Sequence, residues 1–179
     1  MKKLPITFDP TKWHACIDHP EETCDKAPFC YAYALNNPED YLSQPGMGWV
    51  RSFPPPYYDS FNKFFEGYSL EEFMDFMLKG AVEDGLTQVD GLVSKDGYYL
   101  VAVFFKDHPS NFNIHWYRQD DDGTWSHKNG SDAVKNRDSN GNIIHDPRDV
   151  IDPDYPIFGS FFLVPRSGIV LTKRFPMIQ

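Results

Sequence analysis

The sequence predicts an α+β protein in which N-terminal helices pack on a C-terminal antiparallel sheet. Two observations carry this. Apolar residues recur with helical spacing only before about residue 85, and with a period of two after it. The order, helices first and then strands joined by short polar turns, is that of segregated α+β architecture rather than of alternating α/β units. At 179 residues the chain is long enough for one full core, and a single domain over 1–179 is the simplest division.

Residues 1–28 hold Pro5, Pro10, Pro20 and Pro28 among scattered His, Cys and acids and read as irregular. The stretch Cys30-Tyr31-Ala32-Tyr33-Ala34-Leu35-Asn36 is the first helix candidate, ended by Asn37-Pro38 because a residue before proline avoids the α region. Ser69-Leu70-Glu71-Glu72 is a capping box. Leu70, Phe73, Met74 and Met77 follow it at helical spacing, with Gly80 expected just past the helix end.

In the second half, Gly91–Ser94 and Tyr98–Phe105 flank Lys95-Asp96-Gly97 and read as a hairpin. Phe112–Arg118 is a strand with Phe112, Ile114 and Trp116 on one face and Asn113, His115 and Tyr117 on the other. A turn at 119–123 returns the chain through Thr124–Lys128, and a five-residue loop there would set Arg118 opposite Thr124 and His115 opposite His127. Ile157–Pro165 contains an apolar run that suits a buried strand, and Phe73, Phe161 and Phe162 are assigned to the core.

Composition narrows function. With 17 Lys and Arg against 26 Asp and Glu, the net charge is −9 and no basic run occurs. Phosphate neutralisation requires such a patch, so nucleic-acid binding is excluded, and attraction to anionic membranes is disfavoured. The apolar runs are too short to span a bilayer, and no apolar stretch follows Lys2-Lys3 as a secretory signal requires. The expected location is therefore cytoplasmic, or outside by a route that uses no cleavable signal.

The chemistry-bearing residues are Cys30, His115 and His127. A thiol at a helix start is favoured as thiolate by the helix dipole and free N–H groups, which can also hold an oxyanion. His115 and His127 on one sheet face suit a base and the residue that orients it. The competing reading is a buried structural cysteine and two histidines on a solvated sheet face. Aromatic residues that could line a substrate surface are Tyr31, Trp49, Tyr57, Tyr58, Trp116, Tyr117 and Trp125, with Tyr31, Trp49 and Tyr117 the chosen candidates.

His14, Cys16, His19, Cys24 and Cys30 lie close in sequence, but their spacing is irregular and no Cys-x-x-Cys occurs, so no metal is expected. Cys16 and Cys24 are compatible with either a disulfide or two reduced thiols. Asp120-Asp121-Asp122-Gly123 and Asp138-Ser139-Asn140-Gly141-Asn142 lack the closing Glu of a calcium loop and read as Asx turns. No cofactor is implied.

A cysteine at a helix start, a histidine on a core strand and a second polar residue on the next strand resembles the order in papain-like NlpC/P60 cysteine peptidases. His127 follows His115 by the interval usual there. The resemblance implies a papain-like fold with Cys30 as nucleophile, His115 as base and His127 as the orienting residue. It also implies an amide substrate of the peptidoglycan-peptide class and no cofactor. Phe29-Cys30-Tyr31-Ala32 stands where that family commonly has Asp-Cys-Ser-Gly. The stretches Cys30–Asn36, His115–Gly130 and Gly141–Arg148 also resemble a group of bacterial proteins of unassigned activity. The alternative function is a non-enzymatic effector or interaction domain whose acidic, aromatic surface meets a protein partner.

Overall fold

The computed structural model describes residues 6–13, 29–38, 42–50, 61, 63–106, 113–130, 132–150 and 152–171. Its centre is a six-stranded antiparallel sheet in the order β3-β8-β4-β5-β6-β7. The strands are β3 (Thr87–Val89), β4 (Tyr98–Lys106), β5 (Asn113–Gln119), β6 (Trp125–Lys128), β7 (Val134–Lys135) and β8 (Ile157–Pro165). Before them come α1 (Cys30–Ala34), a small hairpin of β1 (Leu42–Gln44) and β2 (Gly48–Val50), and α2 (Leu70–Glu83). The α+β expectation holds at this level.

Strand alternation divides the molecule into two layers. Val101, Val103, Phe105, Ile114, Trp116, Phe162 and Val164 form one face and share a core cluster with Cys30, Tyr31 and Ala34 of α1 and Phe73, Met77 and Ala81 of α2. Leu100, Ala102, Phe104, Tyr117, Trp125, Phe161 and Leu163 form the other, covered by Ile144 and Tyr155 from the turn-rich segment before β8. The helices therefore cover one face, and irregular chain covers the second.

α1 is short and apolar on every side, as a helix buried all round must be. All five of its residues are buried. It ends in a Schellman turn: Asn36 takes φ +53°, its N–H bonds the Tyr33 carbonyl, and the Asn37 N–H bonds the Ala32 carbonyl. The stop precedes the Asn37-Pro38 signal and depends on Asn tolerating the left-handed region.

α2 starts as predicted, with Ser69 Oγ accepting from the Glu72 N–H and the Glu72 carboxylate accepting from the Ser69 N–H. Its end is not at Gly80. The helix continues to Glu83, and Gly85 (φ +106°) closes it, its N–H bonding Val82 and that of Leu86 bonding Ala81. Gly80 serves a different need. The β1–β2 turn crosses the helix there, and a Cβ on Gly80 would lie 2.6 Å from the Pro45 carbonyl carbon and oxygen.

Two strand expectations are corrected. Gly91–Ser94 is not a strand: β3 lies earlier, at Thr87–Val89, and pairs with β8, while β4 pairs with β5 and β8. Residues 95–97 form a turn that joins no hairpin. The β5–β6 loop is also tighter than a five-residue connection. Asp120 N–H bonds the Thr124 carbonyl, Gly123 N–H bonds Asp120, and Gly123 takes φ +85°, which gives a three-residue turn with a left-handed glycine. The register moves by two, so Arg118 opposes Ser126 and Tyr117 opposes His127. β8 spans Ile157–Pro165 as expected, with a bulge opposite Val103 and Phe104. A Cβ on Gly159 at that bulge would lie 2.4 Å from the Phe105 ring, which would have to shift to admit it.

Candidate functional site

His115 and His127 are not directly opposed. They are diagonal neighbours on one face, and His115 Nε2 lies 2.8 Å from His127 Nδ1. A shift of two residues preserves the face, because side chains alternate with a period of two.

The surroundings of the pair keep it uncharged. Burial first, with a smaller contribution from Lys135, drives the His127 imidazole down to about 4 against the pull of Asp152, so it is neutral at pH 7. The Arg137 backbone beside His127 favours its protonated form to a smaller degree. In the tautomer in which His115 Nε2 donates to His127 Nδ1, His115 Nδ1 is a bare lone pair. That Nδ1 is buried and has no hydrogen-bond partner among the described residues. Burial, reinforced by His127, holds His115 well below the usual imidazole value.

Two tyrosines fix the ring planes. Tyr155 stacks on His115 with centroids 4.9 Å apart, and Tyr117 stacks on His127 at 4.7 Å. The Tyr117 hydroxyl reaches Asp152 at 3.5 Å. Sequence reasoning missed Asp152 and Tyr155. Their signal is slight: an aromatic residue in the polar stretch Asp152-Pro153-Asp154-Tyr155-Pro156, where only the sheet gives it a partner.

Cys30 opens α1 and is buried. Asp120 N–H points across to β6, and alternation turns the N–H and C=O of residues 118, 116 and 114 to the same edge. The β5–β6 ladder runs only over Tyr117–Gln119. Below it, the Cys30 thiol takes the vacant place, 3.7 Å from the Ile114 carbonyl and within reach of the Trp116 N–H. Those two backbone groups flank His115. The helix thus lies on the Ile114 and Trp116 face, His115 projects from the opposite face, and the thiol meets β5 at the edge beside residue 115, past the last described pair with β6. Burial pushes the Cys30 thiol up to about 11 although the N–H groups of Trp116, Tyr31 and Cys30 favour its anion.

A buried ion pair anchors this arrangement. Arg118 and Asp120 have side chains 0% and 1% exposed and meet at 2.8 Å. Arg118 also donates to the Tyr33 hydroxyl (2.9 Å), the Tyr33 carbonyl (3.4 Å), Asn36 Oδ1 (3.2 Å) and the Thr7 carbonyl (3.1 Å). The guanidinium lies over the Tyr33 ring at 4.1 Å, and Tyr33 Oη bonds Ser126 Oγ at 2.6 Å. One side chain therefore joins α1, β5 and the N-terminal segment, which sets where Cys30 sits. Burial pushes the Asp120 carboxyl upward against the pull of Arg118.

The expected substrate-surface residues fare differently. Tyr31 is 0% exposed, its hydroxyl bonded to Asp84, and Tyr117 is 1% exposed beneath His127, so neither offers a ring to solvent. The Trp49 side chain lies outside the described residues, as do Tyr57, Tyr58, His14, Cys16, His19 and Cys24. Among the described residues no group of three or more His, Cys, Asp or Glu is placed to hold a metal ion. The two acidic stretches are Asx turns as expected, Asp122 accepting from the Thr124 N–H and Asp138 from the N–H groups of Asn140 and Asn142. Among the described residues no helix is long and apolar enough to cross a membrane.

No family model matches the chain, and no solved structure matches it. The chain is similar to insoluble matrix shell protein 1 of Ruditapes philippinarum, 29% identical over 163 residues, which cover 90% of this chain and 93% of that protein.

Proposed function

We propose that the protein is a papain-like cysteine hydrolase acting on an amide bond, with Cys30 as nucleophile, His115 as base and His127 as the residue that orients the base. The observation that carries this reading is the free Nδ1 of His115. Its Nε2 is engaged with His127, and with Nε2 as the donor the ring has the tautomer a general base needs. The thiol lies on the α1 face of β5 and His115 on the opposite face, so the transfer requires the imidazole or the thiol to swing to the strand edge.

In the reaction the Cys30 thiol proton passes to His115 Nδ1. The Sγ–C bond forms as the carbonyl π pair moves to oxygen, and the N–H groups at the start of α1 receive that oxyanion. Collapse breaks the C–N bond, with the His115 proton leaving on the amine. Water, deprotonated by His115, then cleaves the thioester and returns the thiol. The substrate class is an amide of a peptide, including peptidoglycan peptides.

The test is site-resolved labelling of the full chain with a peptidyl acyloxymethyl ketone, together with hydrolysis of peptidoglycan-derived peptides. Cys30 labelling that falls in His115→Ala, accompanied by turnover, supports the reading. Equal labelling in both proteins with no amide turnover overturns it.

A second reading, a non-enzymatic matrix or partner-binding domain, draws on the similarity to a shell matrix protein and on a thiol that burial holds at about 11. It predicts the overturning result together with retained folding.

A further inference from the structure

His115 is gripped on several sides. Its Nε2 meets His127 Nδ1 at 2.8 Å, Tyr155 lies against its face with centroids 4.9 Å apart, and Tyr117 meets it edge-on at 5.0 Å. The residue is 1% exposed, yet its Nδ1 has no hydrogen-bond partner among the described residues. A buried polar atom left in that state calls for a reason.

The thiol reaches β5 at the Ile114 carbonyl, on the α1 side, while the imidazole stands on the other face. As they stand, neither can pass the other a proton. The thiol side is the fixed one. All five residues of α1 are buried, and Arg118 ties the helix to β5 through the Tyr33 hydroxyl and carbonyl and through Asn36. The imidazole side is covered by irregular chain. Tyr155 is the buried residue of the turn at 152–156, with Pro153, Asp154 and Pro156 exposed around it. Lifting the ring gives up at least the Lys106–Asp154 ion pair (3.3 Å) and the contact of the Tyr117 hydroxyl with Asp152 (3.5 Å). It leaves the strand ladders as they are, because the turn lies outside them.

A change of χ1 well re-aims a side chain without moving its backbone. The edge that carries the thiol is the β6 side of β5, so a swing of His115 toward it keeps the ring beside His127.

We infer that Tyr155 is a latch on the base: it holds His115 on the face away from the thiol, and the turn at 152–156 must lift before the imidazole reaches Cys30. This regulates the site of the hydrolase reading and rests on that reading for its purpose. The arrangement described above is the resting one. Opening of a surface turn is the kind of local motion on which such gating is built.

The experiment is iodoacetamide labelling of Cys30 in the full chain at neutral pH, read by peptide mass spectrometry, with amide turnover followed in parallel. Tyr155→Ala is expected to speed labelling about tenfold, the equivalent of one unit in the thiol pKa. Adding His115→Ala is expected to abolish the gain, which a merely loosened core would keep. Tyr155→Phe retains the flat ring and is expected to label as wild type does. No gain in folded Tyr155→Ala, or a gain that persists without His115, overturns the inference. Where Tyr155→Ala does not fold, Asp152→Ala removes the carboxylate that accepts the Asp154 N–H and loosens the turn while the ring stays. The same His115-dependent gain is then expected, and its absence overturns the inference. A His115-dependent gain with no amide turnover in any of these proteins sinks the hydrolase reading and leaves the latch. Turnover in wild type without that gain sinks the latch and leaves the hydrolase.

Discussion

His115 Nε2 and His127 Nδ1 share one hydrogen bond of 2.8 Å across a diagonal of the β5–β6 ladder, and that bond decides which nitrogen of His115 is free. Replacing His127 by Ala removes the acceptor and lets the ring adopt the wrong tautomer. Acylation of Cys30 by an activity-based probe is expected to fall by about 10²–10⁴-fold, the usual range for general-base function. His127→Asn places an amide oxygen near the lost Nδ1 and is expected to recover part of the rate. Equal rates in the two variants would separate His127 from the chemistry.

The same pair makes stability pH-dependent. Both imidazoles titrate lower in the folded protein than in the unfolded chain, His127 at about 4 against an ordinary 6.5. Below the unfolded value, the unfolded chain binds protons that the folded protein refuses. Stability is therefore full above about pH 6.5 and falls as the pH drops toward 4. Urea titrations at intervals through that window check it. The slope is expected to be shallower in a His115→Gln, His127→Gln double variant.

Arg118 should be among the least replaceable residues. Arg118→Met strands the buried Asp120 carboxylate and frees the acceptors on Tyr33, Asn36 and Thr7. Breaking a buried pair by removing one partner costs about 3–5 kcal/mol. Denaturant unfolding measures that loss, and a loss under 1 kcal/mol would assign the anchoring of α1 to packing alone.

Gly80→Ala tests the crossing of α2 by the β1–β2 turn. Alanine is the better helix former, by about 1 kcal/mol on an exposed helix. Here its Cβ meets Pro45 backbone at 2.6 Å, and overpacking of this kind costs about 1–3 kcal/mol. Net destabilisation is expected, read as a lower Tm. A rise in Tm would mean that the turn shifts freely.

Much of this architecture is legible in local sequence. The capping box at Ser69, the span of β8 and the alternation of β5 are short-range signals, and each appears in the structure where periodicity puts it. What local sequence lacks is the identity of partners. Gly80 looks like a helix end because the turn that needs its missing Cβ lies more than thirty residues earlier. The register of the β5–β6 hairpin turns on whether Asp120 bonds Thr124, a choice between two loop lengths that the residue types alone leave open. The shared face of the histidines survives that ambiguity because a shift of two preserves it. Asp152 and Tyr155 are invisible for a simpler reason: their roles exist only after a distant turn folds over the sheet.

The grip on the N-terminal segment has a consequence for how this protein tolerates change. Arg118 holds Thr7 through its carbonyl, and the Asp121 N–H holds Ile6 the same way. Main-chain atoms are common to every residue, so substitutions at position 7 leave the link intact. Deleting the residues does not. A shortened chain would face the sheet with an internal guanidinium whose acceptor has departed. Positions 6 and 7 thus behave as a seam, permissive about spelling and strict about presence.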